Sequence, residues 1–252
     1  MPDLQQKIKD LFLYRKFPFL MEMAGQNYKN HPLIEQLIKL QEAIYYLDHH
    51  LETHWDIKAI DLKPFWDDIF KALKNIGLNK EEQLDYVKHL EKYQKHELYM
   101  REGKWPNRFN LNYFYFYKSC DVKMLRRIIY KFYPSLQKTF TLADWRYFDL
   151  ITEVNDDIED IFEDQETING NSLLINLHTI GIQSTKKMFQ GFIKEIEIKN
   201  EERLKTKPSY KKIFDWTQNE TRATQKLLVK NLKSVQEKEL DSKIKQYLLV
   251  TT

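Results

Sequence analysis

The chain has 252 residues, 42% hydrophobic and 14% aromatic, and its 40 Lys and Arg against 37 Asp and Glu leave a net charge of +3. That length and apolar content suffice for one large core, so a single domain over 1–252 is the expectation, and a charge so near balance excludes a nucleic-acid binder defined by bulk charge. One cysteine, Cys120, excludes an intramolecular disulfide framework, and no apolar run approaches the ~20 residues of a membrane span, so a cytoplasmic protein is expected.

Hydrophobic periodicity predicts helices almost throughout. After Pro2 a first helix runs into the early twenties. Pro32 opens a second through Leu33, Leu37, Leu40, Ile44 and Leu47, ending near Asp48 to His54. Pro64 starts a third, and Asn79 with Glu82 three residues later forms a capping box for a fourth that reaches about Met100. Gly103 to Asn107 reads as a loop. The aromatic run Asn112 to Tyr117 is the strand candidate, yet it is assigned helix because nothing offers it a partner strand. Asp121 caps a helix over Val122 to Tyr133. Thr141 and Asp144 begin another, which Asn169-Gly170-Asn171 stops. Ser172 to Lys199, and a stretch from Pro208 toward Leu249, complete the set.

From Asp149 to Glu166 there are nine acids and no Lys or Arg. At about 100° per residue, Asp149, Glu153, Asp156, Asp157, Asp160, Glu163 and Asp164 share one face. Leu150, Ile151, Val154, Ile158, Ile161 and Phe162 form the opposite stripe, so the apolar side is expected to be buried and the carboxylates to converge. A solvated helix face is the plain alternative. Solvated faces mix signs, however, because Glu/Lys pairs four apart help by roughly 0.2–0.5 kcal/mol and like charges cost about as much. A divalent cation removes the conflict, since Mg²⁺ takes a few carboxylate oxygens together with waters and phosphates.

Two features could face such a site. Asp48 and Glu52 lie one turn apart at the end of the second helix, with His49 beside them; read alone, they serve equally well as an ordinary polar helix end. Arg101, Lys104, Arg108, Lys118, Arg126, Arg127 and Arg146 precede the acidic helix and suit phosphate oxygens, although each is otherwise a solvated side chain. No Ser/His/Asp set stands out. No Walker-type loop, GxGxxG or Glu-x-x-His is present, which removes nucleotide-loop and di-iron chemistry.

With these residues in hand, the chain resembles the class I isoprenoid synthase superfamily, which includes prenyl diphosphate synthases, squalene/phytoene synthases and class I terpene synthases. Asp156-Asp157-Ile158-Glu159-Asp160 is similar to its DDxxD motif, preceded by Asn155 and continued by Asp164. Lys118-Ser119-Cys120 resembles a Lys-Thr element that contacts diphosphate, and Tyr46 to Glu52 is similar in position to a first acidic motif. Trp216 to Arg222 resembles a C-terminal motif, with Ala223 where its Tyr would stand. His49 replaces a second Asp in the first motif, and Asn169-Gly170-Asn171-Ser172 replaces a Gly-Lys element.

The resemblance implies an all-α antiparallel bundle around a central cavity, with Mg²⁺, or Mn²⁺ in its place, bridging carboxylates to a prenyl diphosphate. It implies metal ligands Asp156, Asp157, Asp160 and Asp164, with Asp48 and Glu52 opposite, and diphosphate contacts from Lys118, Arg126, Arg127 and Arg222. A terpene synthase or squalene/phytoene-like enzyme then fits better than a chain-elongating prenyltransferase, and a homodimer stays open. The alternative from another class is a non-catalytic helical binding or partner protein of the same fold. A nucleic-acid reading would rest on Lys186, Lys187, Lys205, Lys207, Lys211 and Lys212. These alternate with Glu195, Glu197, Glu201 and Glu202, so no nucleic-acid partner is expected.

Overall fold

A computed structural model describes residues 4–101, 110–168 and 170–237. Among them the secondary structure is helical, with no strand. The helices are α1 (Leu4–Tyr14), α2 (Phe17–Met23), α3 (Pro32–Thr53), α4 (Ala59–Ile76), α5 (Lys80–Arg101), α6 (Leu111–Lys118), α7 (Cys120–Phe132), α8 (Arg146–Glu159), α9 (Ser172–Thr206) and α10 (Lys211–Glu237). Among the described residues no helix is long and apolar enough to cross a membrane. The expected loop at Gly103 to Asn107 and the last turns toward Leu249 lie outside the described residues. The chain parts into two compact units, Met1–Glu91 with Cys120–Thr139 and Lys92–Ser119 with Phe140–Thr252.

In the first unit, the helix expected to run from Pro2 into the early twenties is two helices. Lys16 turns left-handed (φ 64°) between α1 and α2. The cause lies in Pro18, which has no N–H for the ladder and whose ring would collide with the carbonyl of Tyr14 in a continuous helix. Pro32 opens α3 as expected, and His31 caps it by accepting from the Leu33 N–H at 3.2 Å. Pro64 does not start α4 but sits inside it. The helix begins at Ala59, where the Asp61 carboxylate accepts from the Lys58 N–H at 2.8 Å, and Pro64 removes one early ladder bond.

Helix α4 returns antiparallel along α3, with Phe65 against His50 at 4.8 Å between ring centroids. Asn79 and Glu82 form the expected reciprocal cap of α5, each accepting from the other's backbone N–H at 3.0 Å. Helix α7 buries Val122, Leu125, Ile128 and Ile129 and runs antiparallel to α3, as Gln41 to Asp121 (2.7 Å) and Tyr133 to His31 (3.1 Å) show.

The second unit is built on α8. Near its start buried Trp145 stacks on Trp216 of α10 and buried Phe148 lies tilted against the same ring, with centroids 6.3 and 6.4 Å away. Farther along, Asn155 accepts from Thr224 at 3.1 Å and the Ile158 carbonyl from Asn231 at 2.6 Å, so α10 runs parallel to α8. Helix α9 runs the other way. Its first residue, Ser172, meets Asp157, and its last turns bring Arg203 and Lys207 onto Asp144. The aromatic run is helical, as assigned. It forms α6, parallel to α8, with Asn112 accepting from Arg146 at 3.0 Å and Tyr115 reaching Asp157. Inside α9, Gly181 has φ 76° and ψ 169°, a break the sequence reading did not anticipate.

Candidate functional site

The acidic segment is not one continuous helix to Asn169. Thr141 and Asp144 cap a short 3-10 turn, Leu142–Trp145, whose end leads into α8. Helix α8 closes at Glu159, Asp160 is its C-cap, and Asp164 begins another 3-10 turn. Two carbonyls of the last helical turn are capped by side chains. Asn171 donates to the Asp157 carbonyl at 2.8 Å, and Asn231 donates to that of Ile158. The four last carbonyls of any helix need such partners, which is why two asparagines converge here.

The burial pattern bears out the apolar stripe, Phe162 excepted, and divides the acidic face that was expected to converge. Leu150, Ile151, Val154, Ile158 and Ile161 are buried, but so are Asp149, Glu153 and Asp157, spaced four apart on the other side of α8; Phe162 is exposed. The acids therefore divide into an inward set, Asp149, Glu153, Asp157 and Asp164, and an outward set, Asp156, Glu159, Asp160, Glu163 and Glu166, in which the motif's aspartates Asp156 and Asp160 form a pair one turn apart.

Asp157, the second acid of the DDxxD-like motif, is completely buried. Tyr115 donates its hydroxyl to Oδ2 at 2.8 Å, the Ser172 N–H donates to the same oxygen at 2.8 Å, and Lys118 pairs with Oδ1. Burial alone would lower the Lys118 ammonium, but Asp157, Asp156, Glu153 and Asp164 outweigh it and hold it well above the usual lysine range. The lysine therefore stays charged. Burial and the Asp157 charge raise the Tyr115 hydroxyl well above its usual value, so it remains a donor. Asp164, 7% exposed, accepts from Asn171 at 2.8 Å. Asn171 also accepts from the Leu174 N–H at 3.0 Å, so one side chain caps α9, ties Asp164 and closes α8. A cap is legible from its place before Ser172; the two ties across space are not.

Asp156 and Asp160 are the outward pair. Asp156 leaves 54% of its side chain in solvent, with the Lys118 ammonium 3.7 Å away. Asp160, one turn on, is half-buried, and its N–H bonds the Asp156 carbonyl at 2.9 Å. Its carboxyl is pushed up to about 7, first by burial and then by the charges of Asp156, Asp164 and Glu163. The negative end of the α8 dipole lies at the same place, so cations are favoured there and further anions are not.

The remaining candidates are distributed over both units. Asp48 and Glu52 are half-buried, one turn apart on α3 in the first unit. Arg126, also in the first unit, is 1% exposed, donates to the Arg15 carbonyl at 3.3 Å and lies over the Phe17 ring. Arg127 pairs with Asp85 at 2.5 Å and covers the Tyr86 ring. Arg222 is exposed on α10, in the second unit. Lys104, Arg108 and the side chain of Arg101 lie outside the described residues.

Among the described residues no three His, Cys, Asp or Glu side chains form an all-protein metal cage. Mg²⁺ is commonly anchored by only one or two carboxylates, with waters and substrate phosphates completing its shell. Asp156 and Asp160 fit that form of site, and Lys118 adds a cation beside it for an anionic ligand. Tyr115, Phe189 and Phe192 make an aromatic layer behind Asp157, with centroids 6.0 to 6.4 Å apart, which keeps the dielectric low there. Compared with family models, with curated proteins and with solved structures, the chain matches none.

Proposed function

We propose that the protein is a Mg²⁺-dependent enzyme of the class I isoprenoid type that ionises a prenyl diphosphate, closer to a terpene synthase or squalene/phytoene synthase than to a chain-elongating prenyltransferase. The observation that carries the reading is the outward pair Asp156 and Asp160, crowded by like charges at the negative end of α8, with the Lys118 ammonium 3.7 Å from Asp156. The all-helical architecture is the one this chemistry uses, with a central apolar cavity as part of the proposal.

On this reading Asp156 and Asp160 would hold the metal, and Asp164 and Asp157 fix the loop and helix end that carry them. Bound Mg²⁺ would neutralise the diphosphate leaving group. Lys118 adds positive charge where the diphosphate departs, and because its own position is fixed by Asp157 it needs little reorganisation to do so. The buried rings of Tyr115, Phe189 and Phe192 exclude water from the side of the helix that faces the core. No general acid or base is required for ionisation, in keeping with the absence of a His on this helix end.

The test is a thermal-shift titration with inorganic diphosphate in Mg²⁺ and in EDTA, because a ligand that binds only the folded state raises apparent stability by mass action. A rise that needs both Mg²⁺ and diphosphate, followed by product from one member of a prenyl diphosphate series, supports the enzyme. One observation favours a second reading, a non-catalytic helical binding or partner protein: Asp157 and Asp164 already have protein partners. No shift with both ligands present selects that reading.

A further inference from the structure

Helix α6 carries its tyrosines on two sides. Tyr115 turns inward to Asp157, whereas Tyr113 and Tyr117, one helical turn apart, are half-buried and meet the part of α5 that belongs to the same unit. Their rings lie 4.9 Å apart, tilted at 56°, and make a two-walled corner. His96 of α5 backs it, 5.5 and 5.2 Å from the two rings, and shares a 3.3 Å hydrogen bond with the Tyr113 hydroxyl. One turn earlier on α5, Lys92 places its ammonium in the corner, 4.4 Å from the Tyr117 centroid and 5.5 Å from that of Tyr113. It donates to the Tyr117 hydroxyl at 2.9 Å.

Lys63, Lys131, Lys194 and Lys211 each meet a carboxylate. Lys92 does not: among the described residues its partners are the two phenols. The Tyr117 hydrogen bond holds its ammonium above the usual lysine value, so a cation always stands over the rings. Burial, and then the Lys92 charge, hold His96 below its usual range, so that ring adds no second positive charge at pH 7. Attraction for a cation therefore comes from ring faces and hydroxyls, the kind of surface that recognises quaternary ammonium groups. Lys92 is an imperfect occupant of it. Its side chain is exposed on a flexible stem, and its three N–H donors are strongly hydrated. A quaternary ammonium has no N–H to satisfy and leaves water more readily.

We propose that the corner of Tyr113 and Tyr117 is a binding site for a quaternary ammonium group, and that Lys92 is the intramolecular stand-in the ligand displaces. The chemistry is that of choline, free or as a lipid headgroup. The site is separate from the acidic motif, and the inference is independent of the role proposed for Asp156 and Asp160.

The experiment titrates tetramethylammonium into the full chain at fixed ionic strength, followed by calorimetry and by the tyrosine ring signals in NMR. Lys92→Gln is expected to bind it at least tenfold more tightly than wild type, because the corner no longer holds its own cation. Tyr117→Phe keeps the ring and frees the lysine from its hydrogen bond, so it should also bind more tightly than wild type. Tyr117→Leu and Lys92→Gln/Tyr117→Leu should lose binding. If circular dichroism shows Lys92→Gln unfolded, Tyr117→Phe carries the test. A folded Lys92→Gln or Tyr117→Phe that binds no tetramethylammonium overturns the inference. So does undiminished binding by Tyr117→Leu, or equal binding of the neutral carbon isostere of choline, which would reduce the corner to an apolar contact. Choline and phosphatidylcholine vesicles then separate the two sources. Binding of choline alone assigns a free solute, binding of vesicles assigns a headgroup, and binding of neither overturns the assignment.

Discussion

Substituting Asp160 by Asn tests the electrostatic account of the α8 terminus most directly. Asn keeps the size and the cap geometry while removing one of the crowded charges. The rise of the Asp160 carboxyl from 3.8 to about 7 means that the folded chain holds this proton more tightly than the unfolded one does. Below pH ~4 both states are protonated and the residue costs nothing. As pH climbs toward 7 the unfolded chain ionises while the folded one resists, and above 7 the whole penalty is present. At face value the rise is worth ~4 kcal/mol. Asp160 is only half-buried, and solvent screening of such a group reduces the figure to about 1 kcal/mol.

Asp160→Asn is therefore expected to stabilise the protein by about 1 kcal/mol at pH 8, which for a chain of this size raises the melting temperature by ~2–4 °C, and to have no effect near pH 4. Urea unfolding followed by circular dichroism, in EDTA, at a series of pH values measures it. In saturating Mg²⁺ the gain should vanish, because the cation relieves the same repulsion in wild type. A variant that is destabilised at pH 8, or equally stabilised at both ends of the range, refutes the reasoning.

Asn171→Ala removes three hydrogen bonds at a fully buried position and should cost about 2–3 kcal/mol by urea unfolding, since the polar groups it leaves behind lose their partners; a wild-type midpoint would mean the ties carry no energy. Asp144 is buried against Arg203 and Lys207, and their hydrogen bonds overcome burial to hold its carboxyl below the usual range. Its contribution is therefore present above pH ~4 and lost as pH falls, so Asp144→Asn should lower stability at pH 7 and converge with wild type in acid. Gly181→Ala meets no atom within 4 Å, so its cost is the backbone term alone, about 1–3 kcal/mol for a side chain at φ 76°, ψ 169°. A neutral result would show that the α9 break closes when a helix former is supplied.

Local chemistry carried most of the helix boundaries. The Asn79 and Glu82 cap and Pro32 at the start of α3 were each legible because the residues that make the boundary lie within a few positions of one another, whereas Asn171 read only as part of the stop at Asn169-Gly170-Asn171. The α1–α2 break was legible in principle, since Pro18 sits in an otherwise helical pattern, and the periodicity of the flanking leucines and phenylalanines masked it. The acidic helix was misjudged for a different reason. A wheel of charges shows which acids share a face, but whether that face meets water or a buried lysine depends on a partner 39 residues away. On that wheel Asp149, Glu153 and Asp157 share one converging face with Asp156 and Asp160, and only tertiary packing separates the ones that turn inward. Gly181 carries no signal that distinguishes a helix break from a tolerated glycine.

The chain leaves the second unit after Ser119 and re-enters it at Phe140, having completed the first unit in between. During synthesis the Tyr115 and Lys118 side chains thus emerge before α7, and Asp157 emerges only after it. No single cut separates the two units intact. A fragment begun at Phe140 would carry the whole acidic motif with neither the lysine nor the tyrosine that holds Asp157, leaving an uncompensated carboxylate in its core. The second compact unit is therefore not a continuous stretch of chain: Lys92–Ser119 and Phe140–Thr252 have to be kept together for Asp157 to keep its partners.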